Sequence, residues 1–152
     1  MSRILCLDYG EKSTGVAVSD ETKTIAQSLT TVIHKSESEL ISIVAKLVVK
    51  YDVDLIVIGL PLSLSGKPST RSERVRRFAS KLARALHLPV ELFDERLSTR
   101  YAERVYAEVH GRHFRSESSE LSPIDRIAAT IILEDYLALL RKGRRTVYGE
   151  EL

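Results

Sequence analysis

A chain of 152 residues with 43% hydrophobic and 29% charged side chains, Lys+Arg 23 against Asp+Glu 21, has the composition of an ordinary globular protein. At that length a single domain buries roughly two-thirds of its unfolded surface, so neither disulfides nor a structural metal are needed to fold it. The single Cys6 excludes an intramolecular disulfide and a Cys-rich zinc module, and no apolar run is long enough to span a bilayer.

The start of the chain lacks a signal-peptide pattern, so the expectation is one cytoplasmic domain over residues 1–152 with no membrane partner. The net charge of +2 hides an uneven distribution. Residues 67–115 hold 12 basic and 6 acidic side chains, against 6 and 8 in residues 1–66 and 5 and 7 in residues 116–152. A basic middle third suits a polyanion such as nucleic acid, because each neutralised phosphate releases condensed counterions. The plainer alternative is a solvated helix face carrying Arg71, Arg74, Arg76, Arg77, Lys81 and Arg84.

In chain order, Arg3 to Leu7, Thr14 to Ser19 and Thr24 to Ile33 read as three strands. Short polar turns at Gly10-Glu11-Lys12 and Asp20 to Lys23 join them, which favours an antiparallel meander. Leu40, Ile43, Val44 and Leu47 then recur at helical spacing behind a Ser36-Glu37-Ser38-Glu39 start. Leu55 to Ile58 is a continuous apolar run, as expected of a strand buried on both faces; a helix from Arg71 to Leu86 and a strand at Val90 to Phe93 follow. This alternation implies parallel strands with right-handed crossovers, hence an α/β mixed sheet flanked by helices. Ser98 can cap a further helix through Tyr101, Ala102 and Val105, and Ser122-Pro123 opens a last one carrying Ile127, Ile131 and Ile132. The aperiodic stretch from His110 to Glu120 reads as a mobile loop, and residues 141–152 as a frayed basic tail.

Three carboxylates stand at the ends of core elements: Asp8 after the first strand, Glu95 after the strand ending at Phe93, and Asp125 in the first turn of the last helix. In open α/β sheets the ligand crevice lies beyond the carboxyl ends of the parallel strands, where Asp8 and Glu95 fall. Converging carboxylates repel one another and are usually held by a hard cation, Mg²⁺ or Mn²⁺. Two such ions roughly 4 Å apart can activate water and stabilise the leaving oxygen in phosphodiester hydrolysis, with no side-chain nucleophile. Each acid also has a structural explanation: Asp8 as a turn residue, Asp94-Glu95 as a solvated loop entry, and Asp125 as part of a Ser122-x-x-Asp125 capping box.

The segment from Leu7 to Asp20, with Asp8-Tyr9-Gly10 and Thr14-Gly15, resembles the opening of the YqgF/RuvX family of the ribonuclease H-like superfamily. Val57 to Leu62 with Gly66, Asp94 to Thr99, and Asp125 to Ala129 with Ile132-Leu133 resemble that family's later motifs in the same order. The resemblance implies a ribonuclease H-like fold with a five-stranded mixed sheet, a catalytic and metal-binding set at Asp8, Glu95 and Asp125, and metal-dependent nuclease activity. Members are described as processing the 5′ end of precursor 16S rRNA, and in an older assignment as Holliday junction resolvases. Where the family often carries Lys-Arg before its second strand, this chain has Lys12-Ser13, leaving Lys12 to supply a phosphate contact.

Further contacts to nucleic acid are expected from Arg96 and Arg100 beside Glu95, with i,i+4 pairing to Glu103 and Glu108 as the structural alternative for this arginine series. The loop from Leu64 to Ser69 offers Lys67 and Ser69, and Arg71 stands at the start of the basic helix; a plain strand-to-helix connection explains the loop equally well. Tyr9 either stacks on a base or packs at the sheet edge, and Cys6, His34 and His87 read as residues without a catalytic part.

The leading expectation is therefore a Mg²⁺- or Mn²⁺-dependent endonuclease acting on precursor 16S rRNA, with ribosomal particles as possible partners and a monomer or homodimer as the active form. The alternatives are a resolvase of four-way DNA junctions and a noncatalytic nucleic-acid binding module.

Overall fold

The computed structural model describes residues 2–61, 69–94 and 123–143, leaving aside the side chains of residues 123–126. Five strands, β1 (Arg3–Asp8), β2 (Ser13–Ser19), β3 (Ala26–Ile33), β4 (Val53–Leu60) and β5 (Val90–Asp94), form one mixed sheet in the order β3-β2-β1-β4-β5. The pairs β1/β2 and β2/β3 are antiparallel, whereas β1/β4 and β4/β5 are parallel. The helices are α1 (Glu37–Tyr51), α2 (Thr70–Leu86) and α3 (Pro123–Arg141). Meander and β-α-β unit thus both form as the sequence pattern implied. The expected helix after Ser98, the His110 to Glu120 loop and nearly all of the 141–152 tail lie outside the described residues.

The two-residue period of β1 explains the layering. Leu5, Leu7 and Tyr9 join one apolar cluster with Val44 of α1 and Val75, Phe78, Ala79 and Leu82 of α2. Ile4 and Cys6 join the opposite cluster with Ala129, Ile132, Leu133, Tyr136 and Leu137 of α3. A strand buried on both sides must be apolar at every position, which is why β1 and the Ile56-Val57-Ile58 part of β4 show no polar alternation. Cys6 is a core residue, as expected, fully buried against α3.

Local chemistry sets the element ends. Ser36 caps α1 by accepting from the Glu39 amide at 3.1 Å, while the Glu39 carboxylate accepts from the Lys35 amide at 2.7 Å. Strand β3 starts at Ala26 rather than Thr24 because Asp20 Oδ1 accepts from the amides of Thr24 and Ile25 at 2.8 and 2.9 Å. Those bonds commit both residues to the turn, and together with the Thr22 hydroxyl they hold the Asp20 carboxyl well below the usual carboxylate range. Helix α1 ends on Asp52, whose left-handed conformation (φ 54°) lets the chain enter β4 at once, two residues earlier than the apolar run suggests. Among the described residues no helix is long and apolar enough to cross a membrane.

Ile58 sits at the centre of this arrangement, fully buried and paired with Leu7 and Leu92. Ile58→Ala is expected to lower the unfolding free energy by about 3 kcal/mol, measured by urea denaturation at unchanged m-value.

Candidate active site at the carboxyl edge of the sheet

Strands β1, β4 and β5 run parallel and end together, Leu7 opposite Ile58 and Phe93 opposite Gly59. Asp8 and Asp94 therefore close the same edge of the sheet. By the alternation of β1, Asp8 follows Ile4 and Cys6 on the α3 face, and it is half-buried. Helix α3 runs antiparallel to β1 across that face. Its last residue, Arg141, donates to the carbonyl of Thr24 in the turn at the opposite edge, at 3.3 Å. The first turn of α3, which contains Asp125, consequently returns toward the edge where Asp8 stands. Position 125 precedes Ala129 and Ile132 by the steps that define the sheet-facing stripe of the helix.

Of the three carboxylates singled out by the sequence, Asp8 is the one whose side chain is described. Asp125 is placed by its backbone in the first turn of α3, and Glu95 lies outside the described residues, immediately after the end of β5. Lys67, Arg96 and Arg100 also lie outside them, as does the side-chain capping expected of Ser122 and Asp125. Asp94 is not a solvated loop entry; it is buried, 4% exposed, as the last residue of β5.

The turn from Asp8 to Ser13 is built from Gly10 outward. A Cβ at Gly10 would collide with the carbonyl oxygen of Ser13, so only glycine lets the chain reverse here. The Gly10 amide donates to Thr14 Oγ1 at 3.3 Å, and Thr14 Oγ1 lies 2.9 Å from His34 Nε2. The His34 amide donates to the carbonyl of Lys12 at 3.0 Å, which ties β3 to the same turn and leaves the Lys12 side chain exposed at the edge. His34 is buried, and its Nδ1 finds no partner among the described residues. Burial lowers its pKa, opposed by the negative charge of Glu39 and Glu37 and by the Gly10 backbone. The sequence assigned His34 no part; its place under the turn follows from β3 pairing with β2.

Tyr9 points away from α3, stacks on Phe78 with centroids 4.3 Å apart, and donates to Glu37 Oε2 at 2.6 Å. Burial, then the Glu37 carboxylate, raise the Tyr9 pKa, so the phenol stays protonated as a donor. Of the two readings of Tyr9, the structure selects packing. Burial of the Glu37 carboxyl raises its pKa, but hydrogen bonds from Lys81 and Tyr9 and the positive charge of Lys81 and Arg77 bring it below the ordinary value. Lys81 donates to Glu37 at 2.8 Å, and Arg74 pairs with Glu11 at the same distance. Part of the basic face of α2 is thereby neutralised locally, which the charge count by itself did not reveal.

Ser69 is the N-cap of α2 in a reciprocal capping box with Ser72, with bonds of 3.1 and 2.8 Å. Arg71 is exposed in the first turn of the helix and lines a cleft of about 240 Å³ with Tyr9, Gly10, Glu11 and Arg74.

The family model for RuvX, described as Holliday junction resolvase, matches residues 2–139. The chain belongs to the RuvX family. A protein of Syntrophus aciditrophicus named "Putative pre-16S rRNA nuclease" is 47% identical over 135 residues, covering 89% of this chain and 87% of its own. A protein of the same name from Caldanaerobacter subterraneus subsp. tengcongensis is 42% identical, covering 89% and 95%. The RuvC of T. thermophilus, solved in complex with a Holliday junction substrate, superposes with a TM-score of 0.61 at 12% identity, covering 97% of this chain and 99% of that one. The fowlpox virus Holliday junction resolvase superposes at 0.50 with 16% identity, covering 90% and 98%. These structural likenesses establish the ribonuclease H-like fold of this RuvX chain. As a member of a nuclease family it is a hydrolase acting on phosphodiester bonds.

Two outcomes follow for the turn that carries Asp8. Tyr9→Phe keeps the Phe78 stack and removes the bond to Glu37, so stability is expected to fall by about 1 kcal/mol, read by urea denaturation at neutral pH. His34 has a folded-state pKa below its unfolded value of 6.5, so the unfolded chain binds protons more readily. Its contribution is fully present above pH 6.5 and is lost as pH falls through the folded-state pKa. In His34→Phe this part of the acid-side slope of stability against pH should disappear.

Proposed function

We propose that this RuvX protein is a divalent-metal-dependent endonuclease that processes the 5′ end of precursor 16S rRNA. The observation that carries the reading is the meeting of two facts. Asp8 ends the central strand on the face covered by α3, and the relatives named for pre-16S rRNA cleavage match nearly the whole chain at 42–47% identity. On this reading Asp8, Glu95 and Asp125 hold the metal. All three are carboxylates, a hard oxygen donor set that suits Mg²⁺ or Mn²⁺ and contains none of the His or Cys ligands favoured by softer ions. When bound, the metal supplies an activated water and stabilisation of the leaving oxygen.

The chain's own contribution is positional. The Gly10 turn and the buried β1 fix the Asp8 backbone, and a half-buried carboxylate excludes part of the competing solvent. Lys12, Lys67, Arg71, Arg96 and Arg100 are the proposed contacts to phosphate oxygens of the substrate. Ser69 is a weaker member of that set, because its hydroxyl already serves as the α2 cap. A cytoplasmic setting with ribosomal particles as partners accompanies this substrate. The junction-resolvase reading rests on the description of the RuvX family as Holliday junction resolvase and would require two such sites acting in a dimer.

The test is cleavage of labelled precursor 16S rRNA 5′ fragments and of a DNA four-way junction side by side, in Mn²⁺ and in EDTA. Wild type is expected to cut the RNA only with the metal present. Asp8→Asn should reduce the rate by more than about 100-fold, beyond the usual cost of losing an outer-shell metal partner. Cutting of the junction alone would transfer the assignment to the resolvase, and unchanged turnover in Asp8→Asn would overturn the carboxylate site.

A further inference from the structure

The cleft beside Tyr9 and Gly10 lies across the sheet edge from the face that carries Asp8. Tyr9, the next residue of the chain, belongs to the α1/α2 side, whereas Ile4 and Cys6 belong to the α3 side. Its volume of about 240 Å³ is bounded on one side by the Tyr9-Gly10-Glu11 turn and on the other by Arg71 and Arg74 of α2. Arg71 and Arg74 are three residues apart, so both guanidinium groups project from one stripe of the helix. Among the described residues Arg71 has no carboxylate in ion-pair contact, while Arg74 Nη1 is held by Glu11 Oε2 at 2.8 Å.

That pair is exposed on both sides, with side chains 42% and 60% accessible. Exposed pairs contribute only about 0.2–1 kcal/mol, so an anion making charge-assisted bonds to two guanidinium groups can displace Glu11. The turn itself is rigid, held by Gly10 and by the Thr14 and His34 bonds, and the floor is the Tyr9 ring stacked on Phe78. The site is thus preformed, with one internal carboxylate occupying the place of the ligand's charge.

We propose that this cleft is a phosphate subsite that holds one backbone phosphodiester of the nucleic-acid strand on Arg71 and Arg74, with Glu11 as the internal anion it displaces. The assignment rests on the nuclease reading above and adds to it where the strand leaves the carboxylate face. Arg71 supplies the first electrostatic contact. Exchange of Glu11 for phosphate on Arg74 then couples strand binding to the turn that begins at Asp8. Glu11 also disfavours anions too weak to complete the exchange.

The experiment measures binding of the labelled precursor rRNA fragment by anisotropy in EDTA across a salt series, with Mn²⁺-dependent cleavage of the same fragment assayed in parallel. Arg71→Gln and Arg74→Gln are each expected to weaken binding several-fold and to lower the slope of log Kd against log salt by about one. Arg84→Gln, about 20 Å along the same helix, removes the same charge and should change Kd by less than about twofold. Glu11→Gln should tighten binding by about two- to fivefold, the equivalent of an exposed ion pair, and this gain should vanish in the Arg74→Gln background. All these positions are at the surface, and equal melting temperatures will confirm intact folds.

Cleavage of the fragment with salt slopes unaltered in Arg71→Gln and Arg74→Gln would overturn the subsite and leave the nuclease reading standing. Absence of both binding and cleavage by wild type would overturn the nuclease reading and the subsite with it. Displacement of the RNA by millimolar inorganic phosphate, beyond the effect of chloride at equal ionic strength, would reassign the cleft to free phosphate and overturn its assignment to a strand.

Discussion

The burial of β1 on both faces is the constraint on which the rest of the molecule depends. A strand sandwiched between α1/α2 on one side and α3 on the other has no position at which a charged group is tolerated until it leaves the core. Asp8 stands at that first point of exit. Its backbone position follows from the apolar contacts of Ile4 through Leu7, all essentially inaccessible to solvent. Burial of this kind stabilises the fold and simultaneously gives the carboxylate a defined place at the sheet edge.

The parallel strands β4 and β5 end at the same level as β1, and α3 returns to it from the opposite edge. The carboxyl edge is thus where three segments distant in sequence meet. The polar groups that line the Asp8 turn are used to hold its shape: Gly10 by steric necessity, Thr14 and His34 by a buried contact, and Tyr9 through Glu37 to Lys81. The rigid turn holds the Asp8 carboxylate and the cleft beside Tyr9 at a fixed separation, and on the proposed reading this preorganisation is the entropic advantage a nuclease needs.

Charge on α2 is organised differently from what a count of arginines suggests. Lys81 is directed to Glu37 and Arg74 to Glu11, while Arg71 remains exposed beside the Asp8 turn. Exposed pairs contribute little to stability and are screened by salt. Their effect is to neutralise part of the charge of α2 locally while leaving cations that a polyanion can recruit by exchange. The Tyr9 ring beneath them is core, so the recognition proposed at this cleft is electrostatic rather than by stacking.

The sequence by itself determined the strand and helix order, because periods of two and of about 3.6 residues and the unbroken apolar runs of β1 and β4 report burial directly. A helix start within Ser36 to Glu39, Cys6 as core and Asp8 at a strand end were legible for the same local reasons. Where side-chain bonds compete with backbone pairing the limits were not legible, as at Thr24 and Ile25, which Asp20 draws into the turn. Contacts between distant segments were decided only by tertiary structure. Glu37 reaching Tyr9 and Lys81, Glu91 accepting from the Tyr136 hydroxyl, His34 beneath Gly10 and Glu11 on Arg74 each join residues that no local pattern connects. Local chemistry sets what each segment becomes, but the partner of a buried or charged group depends on which face of the sheet its neighbour is packed against.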